Sequence, residues 1–261
     1  MKYLSIMGML LMVAVCAPAA QAKKEWVQLK GQNFIIYYRE TVPENFVNTV
    51  MEESETEFKN VTANLGISRY QSWAWDKRAL IYIYSDEDDY IQNGGQAGWS
   101  HGAALIETKV IKTYPSDSGF FDSILPHELG HIIFHELIGV KTDVTLWLDE
   151  GVAMYQEKAK RLGAAKQIKQ AIQNGQFISL TALTDMRLYK NSDDKTVQLF
   201  YAESAGIVYF MITELGQEHF YKLCQELKEH TPLGMALPKV YMRIKDLEDL
   251  NKRWVKYLEE Q

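Results

Sequence analysis

Two short runs of aromatic and β-branched residues, Phe34 to Tyr38 and Ala79 to Tyr84, are flanked by polar turn residues and predict β-strands. A weaker run, Ala103 to Lys109, predicts a third. Between the first two, Phe46, Val47, Val50, Met51, Phe58, Val61 and Leu65 recur at helical spacing, so Pro43 to Leu65 reads as a helix laid over the sheet. From Ser123 onward the apolar period is helical almost throughout, with helices expected at about 123–138, 146–160, 164–173, 198–215, 217–229 and 246–258. Strands first and helices afterwards argue for the α+β class, an N-terminal mixed sheet followed by a mostly helical half. With no repeat, low-complexity stretch or Pro/Gly/Ser-rich linker in view, residues 23–261 read as one domain.

The N-terminus changes this picture. Lys2, an apolar run from Tyr3 to Cys16 and the small-residue exit Ala20-Gln21-Ala22 have the layout of a secretory signal peptide over residues 1–22. Cleavage is expected after Ala22, giving an exported product, periplasmic or secreted. The run is shorter than the roughly 20 apolar residues of a bilayer span. Val15, where a lipoprotein has a small residue, argues against a lipid on Cys16. Without Lys2 the chain keeps 27 of its 28 basic side chains against 34 acidic ones, a net charge of about −7 that disfavours nucleic acid as a partner. No later stretch is long and apolar enough for stable membrane insertion. Cys224 is then the sole cysteine, so no internal disulfide can form, and its helical setting predicts a buried, inert thiol.

Chemistry enters with His127-Glu128-Leu129-Gly130-His131. On a helix, positions i and i+4 lie one above the other, so both imidazoles can face a single ion with a glutamate between them to act on water. Pro126 falls in the first turn, where backbone N–H groups lack intrahelical partners, and Gly139 offers a stop. A catalytic zinc takes three protein ligands and leaves a fourth position open. The candidate for the third is Glu150, in a helical segment joined to the first by a short loop and therefore packed beside it as an antiparallel pair. Gly151 costs about 1 kcal/mol against alanine inside a helix, and a close approach to the metal helix would be a reason for it.

These residues resemble the gluzincin peptidases, in particular the aminopeptidase N group and the smaller peptidase MA-like proteins. Their pattern is HExxH, eighteen residues, then a glutamate set in W-L-x-E-G-x-A. Here residues 132–149 separate His131 from Glu150, and Trp147-Leu148-Asp149-Glu150-Gly151-Val152-Ala153 fills the second motif. The resemblance covers roughly residues 100–220. It implies a thermolysin-like zincin layout with an edge strand beside the cleft, one Zn2+ on His127, His131 and Glu150, Glu128 as general base and a peptide or protein substrate. Tyr201 resembles the tyrosine that, in the aminopeptidase N group, opens an apolar helix and hydrogen-bonds the tetrahedral intermediate. A half-buried packing tyrosine is the alternative. The chain departs from that group where a Gly-x-Met-Glu-Asn strand captures the substrate's free amine: it has Gly102-Ala103-Ala104-Leu105-Ile106-Glu107. Recognition of a free N-terminus is therefore not implied, although the strand can still pair with an extended peptide.

The remaining polar residues are secondary. His135 lies one turn beyond His131, which fits a partner of the ligand shell or a packing residue better than a ligand. Asp149 and Glu157 are open between hydrogen bonds to the ligand shell and plain surface charge. His101 precedes the edge strand and reads as a surface residue before a substrate contact. The rival to a peptidase is a secreted module keeping the fold to bind zinc or peptide without catalysis. Such a module has no chemical use for the general base Glu128.

Overall fold

The computed structural model describes residues 25–67, 73, 77–94, 102–116, 119–188 and 192–261. The expected leader, 1–22, and His101 lie outside them.

Five strands, β1 (Trp26–Lys30), β2 (Phe34–Arg39), β3 (Ala79–Ile83), β4 (Gly102–Leu105) and β5 (Val110–Thr113), form one sheet in the order β1-β2-β3-β5-β4. β2, β3 and β5 run parallel, while β1 and β4 are antiparallel edges, so the sheet is mixed. Along β2 and β3 the alternation buries Phe34 and Ile36, then Ala79, Ile81 and Ile83. α1 (Glu44–Asn64) covers that face with Val47, Val50, Phe58 and Val61, as its helical spacing implied.

Two strand expectations change. β1 was not foreseen, because an edge strand that buries none of its five residues carries no clean alternation to read. The run Ala103 to Lys109 is not one strand but the outer arm of a hairpin. A 3-10 turn, Ile106–Thr108, and the left-handed Lys109 (φ 51°) bend the chain back into β5. A lysine at that corner gives none of the Gly or Asn signal by which such a corner is recognised.

After α2 (Glu87–Gly94), a π-helical turn, Phe120–Ile124, runs into α3 (Leu125–Ile138). Then come α4 (Leu146–Gln156), α5 (Lys158–Gln173), α6 (Leu180–Asp185), α7 (Asp194–Thr213), α8 (Gln217–Lys228), α9 (Leu233–Val240) and α10 (Leu247–Glu260). The architecture is α+β, as expected. The helix expected at 146–160 is two helices, because Glu157 adopts an extended backbone (φ −78°, ψ 99°) and α5 restarts at Lys158. α7 begins ahead of the expected 198, since Asp193 caps it by accepting from the Thr196 N–H at 3.0 Å. Pro126 sits in the first turn of α3 and Gly139 (φ 91°) ends it.

α4 lies between α3 and α7, and two glycines set the spacing. A Cβ on Gly130 of α3 would fall 2.8 Å from the Ala153 Cα of α4. A Cβ on Gly151 would fall 2.4 Å from the Ser204 carbonyl oxygen of α7. Gly151 therefore faces α7 and not the metal helix as the sequence led us to expect; Gly130 is the residue that brings α3 and α4 together. Among the described residues, no helix is long and apolar enough to cross a membrane.

Candidate metal centre

The i, i+4 spacing on α3 brings His127 and His131 to one side of the helix, with their Nε2 atoms 3.2 Å apart. The Gly130–Ala153 contact holds α4 against that side and delivers Glu150. Its Oε2 stands 3.7 Å from His127 Nε2 and 3.9 Å from His131 Nε2. Four ligands placed tetrahedrally at ~2.0–2.2 Å from a zinc ion are separated by about 3.3–3.6 Å, so this triangle fits one such ion with small adjustments.

The tautomers agree with that reading. His127 Nδ1–H donates to Glu157 Oε1 at 2.8 Å, and His131 Nδ1–H donates to Asp149 Oδ1 at 2.9 Å. Both Nε2 lone pairs are thereby turned to the same point, an arrangement that calls for a cation between them. The surrounding carboxylates favour positive charge at that point, whether a proton or a cation. Burial alone would lower the His131 pKa, but the Asp149 hydrogen bond, with the charges of Asp149, Glu150 and Glu128, lifts it to about 8. Glu150 is pushed up by burial, which outweighs the two imidazoles that favour its ionised form.

The partners of the ligands are themselves held. Asp149 Oδ1 also accepts from His135 Nε2 at 3.0 Å, so His135 buttresses the carboxylate that orients His131. Burial opposes ionisation of Asp149, but the His131 and His135 hydrogen bonds dominate and drive its pKa far down. Glu157 is almost completely buried by the α4–α5 break, yet it accepts from His127, Lys160 and Ser123. Those bonds outweigh desolvation and keep its pKa low. Of the two readings open for these acids, both belong to the hydrogen-bonded one. Ser123 and Lys160 had not been singled out. The i, i+3 spacing of Glu157 and Lys160 was the one available hint, and nothing in sequence pointed from Ser123 to Glu157.

A cavity of about 760 Å³ opens directly on the three ligand atoms. Glu128, on α3, and Tyr201, near the middle of α7, both line it. Tyr201 is half-buried, and that burial, followed by the Glu150 charge, raises its pKa, so its hydroxyl stays a proton donor at neutral pH. The five residues singled out from sequence are thus gathered at one concave site.

No curated protein sequence matches the chain. Among solved structures it is similar to native yeast LTA4 hydrolase, with a TM-score of 0.54 at 13% identity over 86% of this chain. That likeness is one of fold. The chain spans 37% of the length of that structure. A family model described as the Peptidase MA superfamily matches residues 66–260, from just after α1 through α10, and on that match over most of its length the chain belongs to the Peptidase MA superfamily.

Proposed function

We propose that the protein is an exported zinc metallopeptidase that hydrolyses peptide bonds, with His127, His131 and Glu150 holding one zinc ion, Glu128 as general base and Tyr201 as oxyanion donor. The observation that carries this reading is the convergence of two oriented imidazoles and a carboxylate at the floor of a cavity that Glu128 and Tyr201 also line. When bound, zinc supplies Lewis acidity, polarising a carbonyl and lowering the pKa of water from 15.7 towards ~7. Glu128 accepts the proton of the attacking water and returns it to the leaving amine. Tyr201 donates to the oxygen on which negative charge develops. Glu157 and Asp149 keep the imidazoles in the Nδ1–H tautomer. β4 is a sheet edge packed beside α3, and an extended substrate can add to it through backbone hydrogen bonds.

The test is to incubate residues 23–261 with a diverse peptide mixture, with and without a zinc chelator, and to map the cuts. About one equivalent of zinc is expected, with most of it lost in His131→Ala. Glu128→Gln should keep the metal while cleavage falls at least ~100-fold. Full zinc in His131→Ala would place the ion elsewhere, and unchanged cleavage by Glu128→Gln would overturn the mechanism. Export is supported by the pattern of residues 1–22, and N-terminal sequencing of the secreted protein should begin at Lys23. Met1, or a lipid on Cys16, would refute it.

A further inference from the structure

Lys109 stands in a left-handed conformation (φ 51°, ψ 47°) at the corner between the Ile106–Thr108 turn and β5. A residue with a β-carbon is disfavoured there, and glycine or asparagine is the usual occupant. Such strain persists only where the surroundings hold it, and here the side chain is held. Its ammonium donates to Glu136 Oε1 at 2.9 Å and lies 4.6 Å from the centre of the Trp73 ring. The other carboxylate oxygen, Glu136 Oε2, accepts from Trp73 Nε1. Trp73 is buried, with ring centres 5.5 Å from Phe34 of β2 and 4.3 Å from Phe58 of α1, and its backbone N–H donates to Asn33 Oδ1 at 2.8 Å. Surface ion pairs ordinarily contribute little, because two long side chains must be ordered to make them. In this pair the ordering is already done: Glu136 is engaged at both oxygens, the Lys109 side chain is only 19% exposed, and the indole that touches both is fixed in the core.

The three residues join parts of the molecule with different duties. Glu136 lies on α3 beyond His131 and follows His135, which buttresses Asp149. Lys109 closes the hairpin that carries β4, and its carbonyl accepts from the Leu80 N–H of β3 at 2.9 Å. The turn itself buries none of its residues, so packing does not pin it. Thr108 Oγ1 donates to the Leu105 carbonyl at 3.4 Å, a bond that stays within the hairpin. β4 is four residues long and is the outermost strand of the sheet. Among the described residues, the bond from Lys109 to Glu136 is the side-chain hydrogen bond that ties this turn to the metal helix.

An extended peptide joins a strand edge through hydrogen bonds that weaken steeply with tilt. Such a peptide is aligned on the metal centre only while the β4 edge keeps its angle to α3. We infer that Lys109 and Glu136 are positioning residues: with Trp73 they lock the β4 edge to the metal helix and so set how tightly an extended peptide binds. The inference rests on the peptidase reading for its substrate class and for the use of β4. Its test reads binding, so the two can fail separately.

Glycine suits the backbone at this corner, so Lys109→Gly removes the ammonium while keeping the turn, and its melting temperature should match the parent's closely. Should it melt well below the parent, Lys109→Asn, which tolerates the same backbone, carries the test. The probes are dialanine and hexaalanine, acetylated and amidated at their ends, titrated into the zinc-loaded Glu128→Gln protein. Hexaalanine should bind about 10 to 100-fold more tightly than dialanine, which is too short to lie along β4. Lys109→Gly should weaken hexaalanine about 5 to 20-fold and leave the affinities for dialanine and zinc within about twofold. Lys109→Arg keeps a cation for Trp73 and a donor for Glu136, and it should restore most of the loss. Glu136→Gln should cost about as much as Lys109→Gly, and the double variant no more than either, because both act through one bond. With Glu128 in place, KM for a cleaved peptide should rise in Lys109→Gly while kcat holds.

If hexaalanine binds the parent no more tightly than dialanine, or if Lys109→Gly weakens both peptides equally or releases zinc, the pair does not position β4 and the inference is wrong. A length preference that Lys109→Gly abolishes, in a protein whose active form cuts no peptide, would keep the positioning role and refute the peptidase. Peptide cleavage together with hexaalanine binding that Lys109→Gly leaves unchanged would do the reverse.

Discussion

Gly151→Ala is predicted to destabilise the protein and to weaken zinc binding at the proposed site together, although glycine to alanine in a helix interior is ordinarily worth about 1 kcal/mol in the stabilising direction. The new Cβ would stand 2.4 Å from the Ser204 oxygen, 2.7 Å from Val208 Cγ2 and 2.9 Å from the Ser204 carbonyl carbon. Two of those three atoms are backbone and cannot rotate away. To restore the 3.4 Å at which contact becomes ordinary, α4 and α7 would have to part by about 1 Å. Overpacking of this kind costs typically 1–3 kcal/mol. At about 2–4 °C per kcal/mol for a domain of this size, the melting temperature should fall by roughly 2–12 °C. Because Glu150 precedes Gly151, the shift also moves a ligand oxygen now 3.7–3.9 Å from its two partners, and zinc affinity should drop by about tenfold or more.

The control is the same substitution at Gly163, where space is open and alanine should be neutral or stabilising by up to about 1 kcal/mol. The assay is thermal unfolding of both variants without metal, followed by competitive zinc titration. If Gly151→Ala were as stable as the parent, the α4–α7 contact would not be the constraint that its distances imply.

Tyr201→Phe should lower kcat by about 10 to 1,000-fold with KM near the parent value, because the hydroxyl is proposed to act only as charge develops; full activity would return the tyrosine to a packing role. Glu157→Gln should weaken zinc binding by about 10 to 100-fold, read by competitive titration, since the residue is almost fully buried while accepting from His127, Ser123 and Lys160. Glu203 should give the protein a stability that falls with pH. It is fully buried, and only Oε1 has a partner, the Ile178 N–H at 3.0 Å, so burial raises its pKa to about 8. The raised folded pKa means that its contribution is complete below about pH 4.5 and is lost as pH rises through about 8, a change of a few kcal/mol that denaturant titrations should show shrinking in Glu203→Gln.

The parts of the molecule that depend on local periodicity were legible in the order of the amino acids. The 3.6-residue period placed His127 and His131 on one helix face, the short aromatic and β-branched runs marked β2 and β3, and the stripe from Phe46 to Leu65 marked α1. A short connection between two helices made Glu150 a candidate for the third group at the site, and the resemblance of Trp147 to Ala153 to the second gluzincin motif singled it out. Contacts between elements distant in sequence carry no period, and tertiary structure alone decided them. Where α4 ends depends on one residue, Glu157. Its carboxylate reaches His127 on α3 from across the α4–α5 break, a geometry that an uninterrupted helix over 146–160 would not have given. Gly151 looked the same in sequence whichever helix it faced, and only the packing of α4 between α3 and α7 assigned it to Ser204. The cavity is likewise invisible in the sequence, because it is set by which side chains fail to meet, and that is known only when α3, α4, α5 and α7 are in place.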